Sequence, residues 1–283
     1  MNQQARLSQD QAVALRQLVR AARVAAGQPV DAPIAGGRTG GGRMIVVAGA
    51  KGGVGATTVS LMLARALAES GEPTLLVDAN LRQADLAQLT QAPTSGRPDL
   101  ADVLSGSCRT AEARIDLGNN LSLLPGAWAP AAQPDANADA VGRWLEDLAG
   151  AVSGGEHCVL DVGVGMKPWT EPLWRRACRV ALVTTPDKLS VLDAYAAAKL
   201  ARGEGVDTEA GLLVNRATDA PAAQGVHRRV EQTCQRFLGA AMPMLGWAPD
   251  DPRCAIDPMS ASTRYARTWT HALIAPGSAA RAA

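Results

Sequence analysis

Short apolar runs alternate with amphipathic helical patterns from Met44 onward. Helical patterns lie near Thr57–Glu69, Ala138–Ala151, Val191–Ala201 and Ala222–Leu238. The apolar runs are Met44–Ala48, Thr74–Val77, Leu121–Leu124, Cys158–Val162, Val180–Thr184 and Leu212–Val214. This alternation predicts an α/β fold, with a mainly parallel sheet covered by helices on both faces. Such sheets bind ligands at the carboxyl ends of their strands.

The first 43 residues follow a different pattern. A short helix is predicted from Ser8 to Ala26, because Ser8 and Gln11 have capping-box spacing and apolar residues recur at helical spacing. The segment from Gly27 to Arg43 is rich in glycine, proline and alanine and is typical of a flexible linker. We therefore predict a helical segment over residues 1–26, a linker over 27–43, an α/β domain over 44–275 and a disordered tail over 276–283.

Composition narrows the class of protein. Hydrophobic residues make up 47% of the 283 residues but aromatic residues only 3%, so the core must be aliphatic. A formal net charge of +1 argues against an overall electrostatic grip on nucleic acid or membrane. The five cysteines form no C-x-x-C pair, which disfavours a disulfide framework or a zinc site and favours a reducing cytoplasm. Neither a signal peptide nor a membrane span is expected.

A glycine-rich turn joins the first strand to the first helix. The segment reads Met44-Ile-Val-Val-Ala-Gly-Ala-Lys-Gly-Gly-Val-Gly-Ala-Thr-Thr58. Its glycines let backbone N–H groups wrap around phosphates, and the helix N-terminus adds free donors and its dipole. Thr57 stands where the P-loop hydroxyl ligates Mg²⁺. We predict a phosphate loop from Gly49 to Thr58, with nucleotide contacts from Lys51, Gly52, Gly53, Val54, Gly55, Ala56, Thr57 and Thr58.

The lysines of this loop are unusual. The standard P-loop is G-x-x-x-x-G-K-[ST], but Ala56 occupies the lysine position. A different lysine, Lys51, stands early in a K-G-G-x-G pattern that resembles the deviant Walker A motif of the MinD/ParA family. The resemblance implies a P-loop fold, ATP or ADP with Mg²⁺ as ligands, and a nucleotide-dependent homodimer in which Lys51 reaches the partner's nucleotide.

Later segments resemble the same family in the same order. These are the switch I strand Leu75–Asp78, the Walker B strand with its switch II glycines Val159–Gly165, the T-T-P-E-type stretch Val183–Tyr195, the adenine-reading strand Leu213–Arg216 and the I-P-x-D-type turn Trp247–Asp250. The resemblance implies that Thr57, Asp78 and Asp161 lie at Mg²⁺. It also implies that Asn215 and Arg216 bind the nucleotide.

Two departures from the family concern hydrolysis. Ala56 removes an ammonium that would contact the β- and γ-phosphates, and a hydrogen bond to a charged group contributes about 1.5–3 kcal/mol. The family has D-x-D at the end of the second strand, and its second aspartate positions the attacking water. This chain has Asp78-Ala-Asn80, and an asparagine carries no negative charge. We therefore expect ATP to bind and its hydrolysis to be weak or lost, with no confident catalytic residue.

The N-terminal helix suggests a branch of the family. Residues 10–16 read D-Q-A-x-x-L-R, which resembles the N-terminal motif of FlhG (FleN, YlxH), a MinD-like regulator of flagellar number and placement. The resemblance implies that this helix docks on an FlhF-like GTPase and stimulates its GTP hydrolysis. Flagellar C-ring proteins are further candidate partners. The residues implied in partner contact are Asp10, Gln11, Ala12, Leu15 and Arg16.

Alternatives from other classes stay open at this point. A TadZ/CpaE-like localisation protein would carry a receiver-like domain, for which 43 residues are too few. A BcsQ-like protein would not need the D-Q-A helix, and a partitioning ParA would need a basic DNA-binding surface and competent hydrolysis. A nucleotide-free structural scaffold would have no use for Thr57, Asp78 and Asp161 together.

The last predicted helix has two interpretations. Tyr265, Trp269 and Leu273 share one face, with Arg264 and Arg267 nearby. A final core helix is favoured over an amphipathic helix that dips into the membrane. A cytoplasmic location is expected, with peripheral contact at the inner face of the membrane or the cell pole left open.

Overall fold

The structure is a computed structural model that describes residues 42–81, 83–127, 138–187, 189–206, 208–261 and 263–274. The predicted N-terminal helix, residues 27–41 of the predicted linker and the predicted tail lie outside the described residues. The strands are β1 (Met44–Gly49), β2 (Thr74–Asp78), β3 (Ile115–Gly118), β4 (Leu121–Leu124), β5 (His157–Val164), β6 (Arg179–Thr184), β7 (Ala210–Val214) and β8 (Met244–Trp247). The helices in this part are α1 (Ala56–Glu69), α2 (Leu86–Leu89), α3 (Leu100–Ser105), α4 (Thr110–Ala113), α5 (Ala138–Ser153), α6 (Glu171–Arg176), α7 (Ser190–Gly203), α8 (Ala220–Leu238), α9 (Arg253–Ile256) and α10 (Arg264–Ile274).

The described strands form one mainly parallel sheet. Its order is β3-β4-β2-β5-β1-β6-β7-β8, and each neighbouring pair is parallel except β3 with β4. The predicted fold class is confirmed. The order places the carboxyl ends of β1, β2, β5, β6 and β7 along one edge, where ligands of such sheets bind.

All six strands expected from apolar runs are present, and the two that the pattern missed lie at the sheet edges. In β3, Ile115 is buried while Asp116 is exposed, and in β8 only Leu245 is buried. A continuous apolar run indicates a strand covered on both faces. Edge strands carry a weaker pattern because part of their surface stays in water.

Two apolar layers cover the sheet. One face packs against α1 and α10, and the other packs against α3, α5, α6, α7 and α8. Helix α1 is rich in alanine and leucine, which favour helices, and ten of its residues are buried. It ends where the Ser70 hydroxyl donates to the Ala66 carbonyl and Gly71 takes a left-handed φ of 90°.

Two residues of the predicted linker contact the α/β domain. The Gly42 amide donates to the Val152 carbonyl at 3.0 Å, and the Arg43 amide donates to Nδ1 of His157 at 3.1 Å. The last two residues of the predicted linker are therefore held by the domain.

The last described helix, α10, is part of the core. Trp269 and Leu273 are buried, and Nε1 of Trp269 donates to the Trp247 carbonyl at 3.2 Å. The prediction of a final core helix is confirmed, because the apolar face is covered by the protein itself. Within the described segments, no helix has the length and apolarity needed to span a membrane.

Candidate functional site

A glycine-rich loop connects β1 to α1 at the carboxyl edge of the sheet. Gly53 and Gly55 take left-handed φ values of 76° and 84°, which glycine adopts without steric cost. Gly55 is also the N-cap of α1, and its side-chain-free backbone leaves the first amides of the helix without a side-chain cap. The loop is tight at its start, since a Cβ on Gly49 would lie 2.9 Å from the Lys51 carbonyl oxygen. This geometry is suited to an anion at the helix N-terminus.

The end of β7 braces this loop from the side. Nδ2 of Asn215 donates to the Val54 carbonyl at 2.8 Å, and a guanidinium nitrogen of Arg216 donates to the Gly53 carbonyl at 3.0 Å. Arg216 holds a left-handed φ of 56°, which is uncommon for a residue other than glycine. The two side chains therefore hold two carbonyls of the loop from the side of β7.

A cleft opens beside Asn215 and Arg216, the two side chains that brace the loop. It runs between α1, the end of β7 and the segment after β8. Because Nδ2 of Asn215 is used by the loop, the amide oxygen is the part of this side chain left to accept a hydrogen bond from a base. The residues lining the cleft are Gly55, Thr58, Met62, Asn215, Arg216, Ala248, Pro249, Asp250, Asp251, Pro252, Cys254 and Tyr265.

Two buried carboxylates lie side by side at the ends of β2 and β5. Asp78 and Asp161 are register partners on these parallel strands, and both are fully buried. The oxygens of Asp78 accept the amides of Asn80 at 3.2 Å and Leu86 at 2.9 Å. Burial and then the charge of Asp161 raise the pKa of Asp78 to about 8. Burial also raises the pKa of Asp161, against lowering contributions from the Thr57 hydroxyl and the Gly163 amide.

These groups fit a magnesium ion that is shared with phosphates. Oδ1 of Asp161 accepts the Gly163 amide at 3.1 Å, while its buried Oδ2 has no hydrogen-bond partner in the described part of the chain. Mg²⁺ prefers carboxylate oxygens, waters and substrate phosphates, and usually takes only one or two carboxylates from the protein. Among the described residues, no cluster of three or more His, Cys, Asp or Glu side chains could hold a metal. A cation between Thr57 and Asp161 would therefore need phosphate oxygens and water.

The early loop lysine is paired within its own chain. Nζ of Lys51 lies 2.7 Å from Oδ1 of Asp187, and about one third of the lysine side chain is exposed. Asp187 also accepts the hydroxyls of Thr185 and Ser190 and the Ser190 amide. The contact with Lys51, followed by those hydroxyls, holds the pKa of Asp187 well below its usual range. The ion pair thus holds Lys51 against the segment that follows β6 in the same chain.

The glycine turn after β5 closes the site from the other side. The Gly165 amide donates to the Gly49 carbonyl at 2.9 Å, which ties this turn to the start of the loop. The Asn80 amide group lies against Gly163, where a Cβ would meet it at 2.7 Å. Nζ of Lys167 donates to the Val162 carbonyl at 3.4 Å. Asn80 therefore stands beside the buried carboxylates, as its place in the Asp78-Ala-Asn80 segment implies.

The structure brings the predicted nucleotide and metal residues to one edge of the sheet. Asp10, Gln11, Ala12, Leu15 and Arg16, the predicted partner residues, lie outside the described residues. The sequence analysis assigns no role to two charged residues of the site. Asp187 lies within the T-T-P-E-type stretch, which is a signal for it, whereas no sequence signal indicates Lys167.

Known proteins resemble this chain over most of its length. The AAA domain family matches residues 42–134. The chain is 27% identical over 209 residues to the antiactivator FleN of Pseudomonas aeruginosa, covering 74% of each protein. It is 30% identical over 220 residues to a septum site-determining protein of the MinD type from Guillardia theta, covering 76% of this chain and 77% of that one. It is 27% identical over 159 residues to the flagellum site-determining protein YlxH of Helicobacter pylori, covering 56% of this chain and 53% of that one.

Solved structures share the fold. A ParA family ATPase from Chlorobium tepidum superposes with a TM-score of 0.66 at 19% identity, over 82% of this chain and 99% of that one. The septum site-determining protein MinD complexed with Mg-ADP from Pyrococcus horikoshii gives 0.65 at 22% identity, over 82% and 96%.

Proposed function

Because this chain belongs to the MinD/ParA family of P-loop ATPases, we propose that it is a regulator of flagellar number or placement that binds adenine nucleotide and hydrolyses it weakly or not at all. The observation that carries this proposal is a contrast within one site. The groups suited to holding a nucleotide are kept, and two groups suited to hydrolysis are replaced.

The kept groups support nucleotide binding. The amides of the loop and of α1 would surround the phosphates, with the loop braced by Asn215 and Arg216. Thr57 and Asp161 would hold Mg²⁺, directly or through water, and Asp78 fixes the backbone that leads into α2. When bound, Mg²⁺ supplies positive charge to the phosphate oxygens. The cleft beside Asn215 would receive the adenine.

The replaced groups support weak hydrolysis. Ala56 brings no charge to the first turn of α1, and loss of one charge-assisted hydrogen bond corresponds to about 10- to 100-fold in binding or rate. Asn80 lies beside Gly163, where an aspartate could orient a water molecule by accepting its proton. A neutral amide accepts a hydrogen bond but no proton at neutral pH.

Nucleotide binding and turnover by the purified protein test this proposal. We expect ATP and ADP to bind in the presence of Mg²⁺ with little turnover, and turnover to rise in the Ala56→Lys, Asn80→Asp double variant. A matched control, Ala111→Lys with Asn119→Asp, makes the same charge changes at exposed positions away from the site. Rapid lysine-dependent turnover by the unmodified protein would contradict impaired hydrolysis. Absence of nucleotide binding would contradict the proposal as a whole.

The flagellar assignment rests on the D-Q-A motif together with the similarity to FleN and YlxH. We expect the full chain to stimulate GTP hydrolysis by the FlhF-type GTPase of the same organism through Asp10, Gln11, Ala12, Leu15 and Arg16. Gln11→Ala should abolish the stimulation, whereas Gln4→Ala, outside the motif, should not. Equal stimulation by both variants would assign the effect to another part of the chain.

A nucleotide-dependent homodimer is a further part of the proposal. Val164, Leu189 and Leu192 are large apolar side chains that are 44%, 64% and 61% exposed. Val164 is the last residue of β5, next to Gly165, whose amide is tied to the loop, and the Leu189 amide donates to Asp187, the partner of Lys51. We expect Leu192→Asp to prevent dimerisation with a non-hydrolysable ATP analogue in light scattering. Leu200→Asp, at the far end of the same helix, should leave it intact.

A further inference from the structure

The phosphate loop lacks the lysine ammonium that usually neutralises part of the phosphate charge. A standard P-loop places a lysine at the first turn of its helix, where it reaches the β- and γ-phosphates. Ala56 occupies this position and packs into the core. Lys51 forms an ion pair with Asp187 at 2.7 Å. Within one chain, Ala56 therefore supplies no charge, and the charge of Lys51 is already paired with a carboxylate.

A second lysine stands on the opposite side of the same site. Lys167 follows the glycine turn after β5, and this turn is fastened to the loop by the bond from the Gly165 amide to the Gly49 carbonyl. Nζ of Lys167 folds back over the turn to within 3.4 Å of the Val162 carbonyl oxygen. The ammonium is also close enough to Asp161 to lower the pKa of that carboxyl, although burial raises it more strongly.

The sheet geometry indicates on which side this ammonium lies. The Asp161 carbonyl accepts the Ala79 amide at 2.9 Å, so it points toward β2. Successive carbonyls of a strand point to opposite neighbours, and the Val162 carbonyl therefore points toward β1. The register between β1 and β5 slips between Val47 and Gly49, at the root of the phosphate loop. The ammonium of Lys167, beside the Val162 carbonyl, therefore lies where the pairing of β1 with β5 becomes irregular.

The backbone of Lys167 is fixed, while its side chain can extend. Its amide donates to Oγ1 of the buried Thr170 at 2.8 Å, and its carbonyl accepts the amides of Thr170 at 3.0 Å and Glu171 at 2.9 Å. A lysine has a flexible four-carbon stem that ends in a compact charge. A fixed anchor with an extensible stem allows the ammonium to move from the Val162 carbonyl to a phosphate oxygen.

We propose that Lys167 supplies, from the turn after β5, the positive charge for the β- and γ-phosphates that Ala56 no longer supplies from α1. The proposal rests on the proposed function, since it assumes that a nucleotide binds the loop. In this site, the positive charge for the phosphates comes from the segment after β5. The same segment contacts a buried carboxylate, because the Gly163 amide donates to Asp161. ATP, with its γ-phosphate, should depend on Lys167 more than ADP does.

Binding of ATP and ADP with Mg²⁺ to the full chain, measured by calorimetry, tests the proposal. Lys167→Ala should weaken ATP binding about 10- to 100-fold, because it removes a charge-assisted contact. The loss for ADP should be smaller. Ala56→Lys should restore ATP affinity in the Lys167→Ala background and add less to the unmodified protein. Lys199→Ala, an exposed lysine on α7, should change neither affinity.

The outcomes separate this proposal from the proposed function. If the unmodified protein binds ATP and Lys167→Ala binds it equally well, the role of Lys167 is refuted and nucleotide binding stands. If Lys167→Ala weakens ATP binding but Ala56→Lys does not restore it, the ammonium does not replace the loop lysine and the proposal is again wrong. If the unmodified protein binds no nucleotide, both are wrong. Equal melting temperatures of the variants would exclude loss of the fold as the cause.

Discussion

The pH dependence of unfolding provides a direct test of the buried carboxylate pair. Asp78 is fully buried beside Asp161, and its pKa is raised to about 8, first by burial and then by the charge of Asp161. An aspartate in the unfolded chain has a pKa of about 3.9. Between these two values, the native protein keeps a proton on Asp78 that the unfolded chain releases. The unfolding free energy therefore falls as pH rises, by about 1.4 kcal/mol per pH unit from this group.

Urea denaturation of the unmodified protein and of Asp78→Asn isolates this contribution. The six tryptophans provide the fluorescence signal, and EDTA keeps divalent cations from the pair. An asparagine does not titrate, so the unfolding free energy of the unmodified protein should fall relative to that of the variant by about 2.7 kcal/mol between pH 5 and pH 7. The variant also changes the acceptor for the Asn80 and Leu86 amides, but an uncharged amide imposes that cost equally at each pH.

Parallel pH dependences of the two proteins would refute this reasoning. They would mean that Asp78 is already ionised in the native protein across this range, despite its burial. Asp161, whose pKa burial also raises, contributes with the same sign, but it does so in both proteins. His157, whose pKa is lowered chiefly by burial, contributes with the opposite sign and does so in both proteins.

Three further substitutions test the packing around the site. Gly55→Ala should abolish nucleotide binding in calorimetry, because its Cβ would lie 2.5 Å from Nδ2 of Asn215 at a φ of 84°; retained binding would show that the brace can yield. Trp269→Ala should cost about 3–5 kcal/mol of unfolding free energy in urea, since the indole is fully buried; a loss below about 1 kcal/mol would contradict the core role of α10. Asp187→Ala should cost about 1–3 kcal/mol, mostly because the hydroxyls of Thr185 and Ser190 and the Ser190 amide lose their acceptor, since the pair with Lys51 is partly exposed and contributes little. The same variant should strengthen ATP-analogue-dependent dimerisation in light scattering, and weaker dimerisation would argue that the pair prepares the lysine instead of restraining it.

The local pattern of apolar and polar residues was enough to predict the fold class and six of the eight described strands. The six strands found from apolar runs all pack on both faces, and that environment selects an unbroken apolar sequence. The apolar pattern did not predict β3 and β8, because they lie at the edges of the sheet, where partial exposure permits polar residues and glycine. The short helices α2, α3, α4, α6 and α9 escaped for a related reason, since four to six residues hold too few turns to show a helical period.

The sequence by itself determined the position and chemistry of the phosphate loop. A strand, a run of glycines and a helix start are neighbours in the chain, and their geometry follows from local backbone preferences. The sequence also showed that the usual P-loop lysine is absent, because Ala56 occupies the lysine position at its fixed spacing from the glycines.

Only the tertiary structure decided what surrounds the loop. It brings Asn215 to Val54 across 161 positions, pairs Lys51 with Asp187, leaves one oxygen of Asp161 buried without a partner in the described residues, and folds Lys167 over the turn after β5. These contacts depend on strand order and register, which bring distant segments to one sheet edge. No local period encodes that order, so the charges that complete the site become visible only in three dimensions.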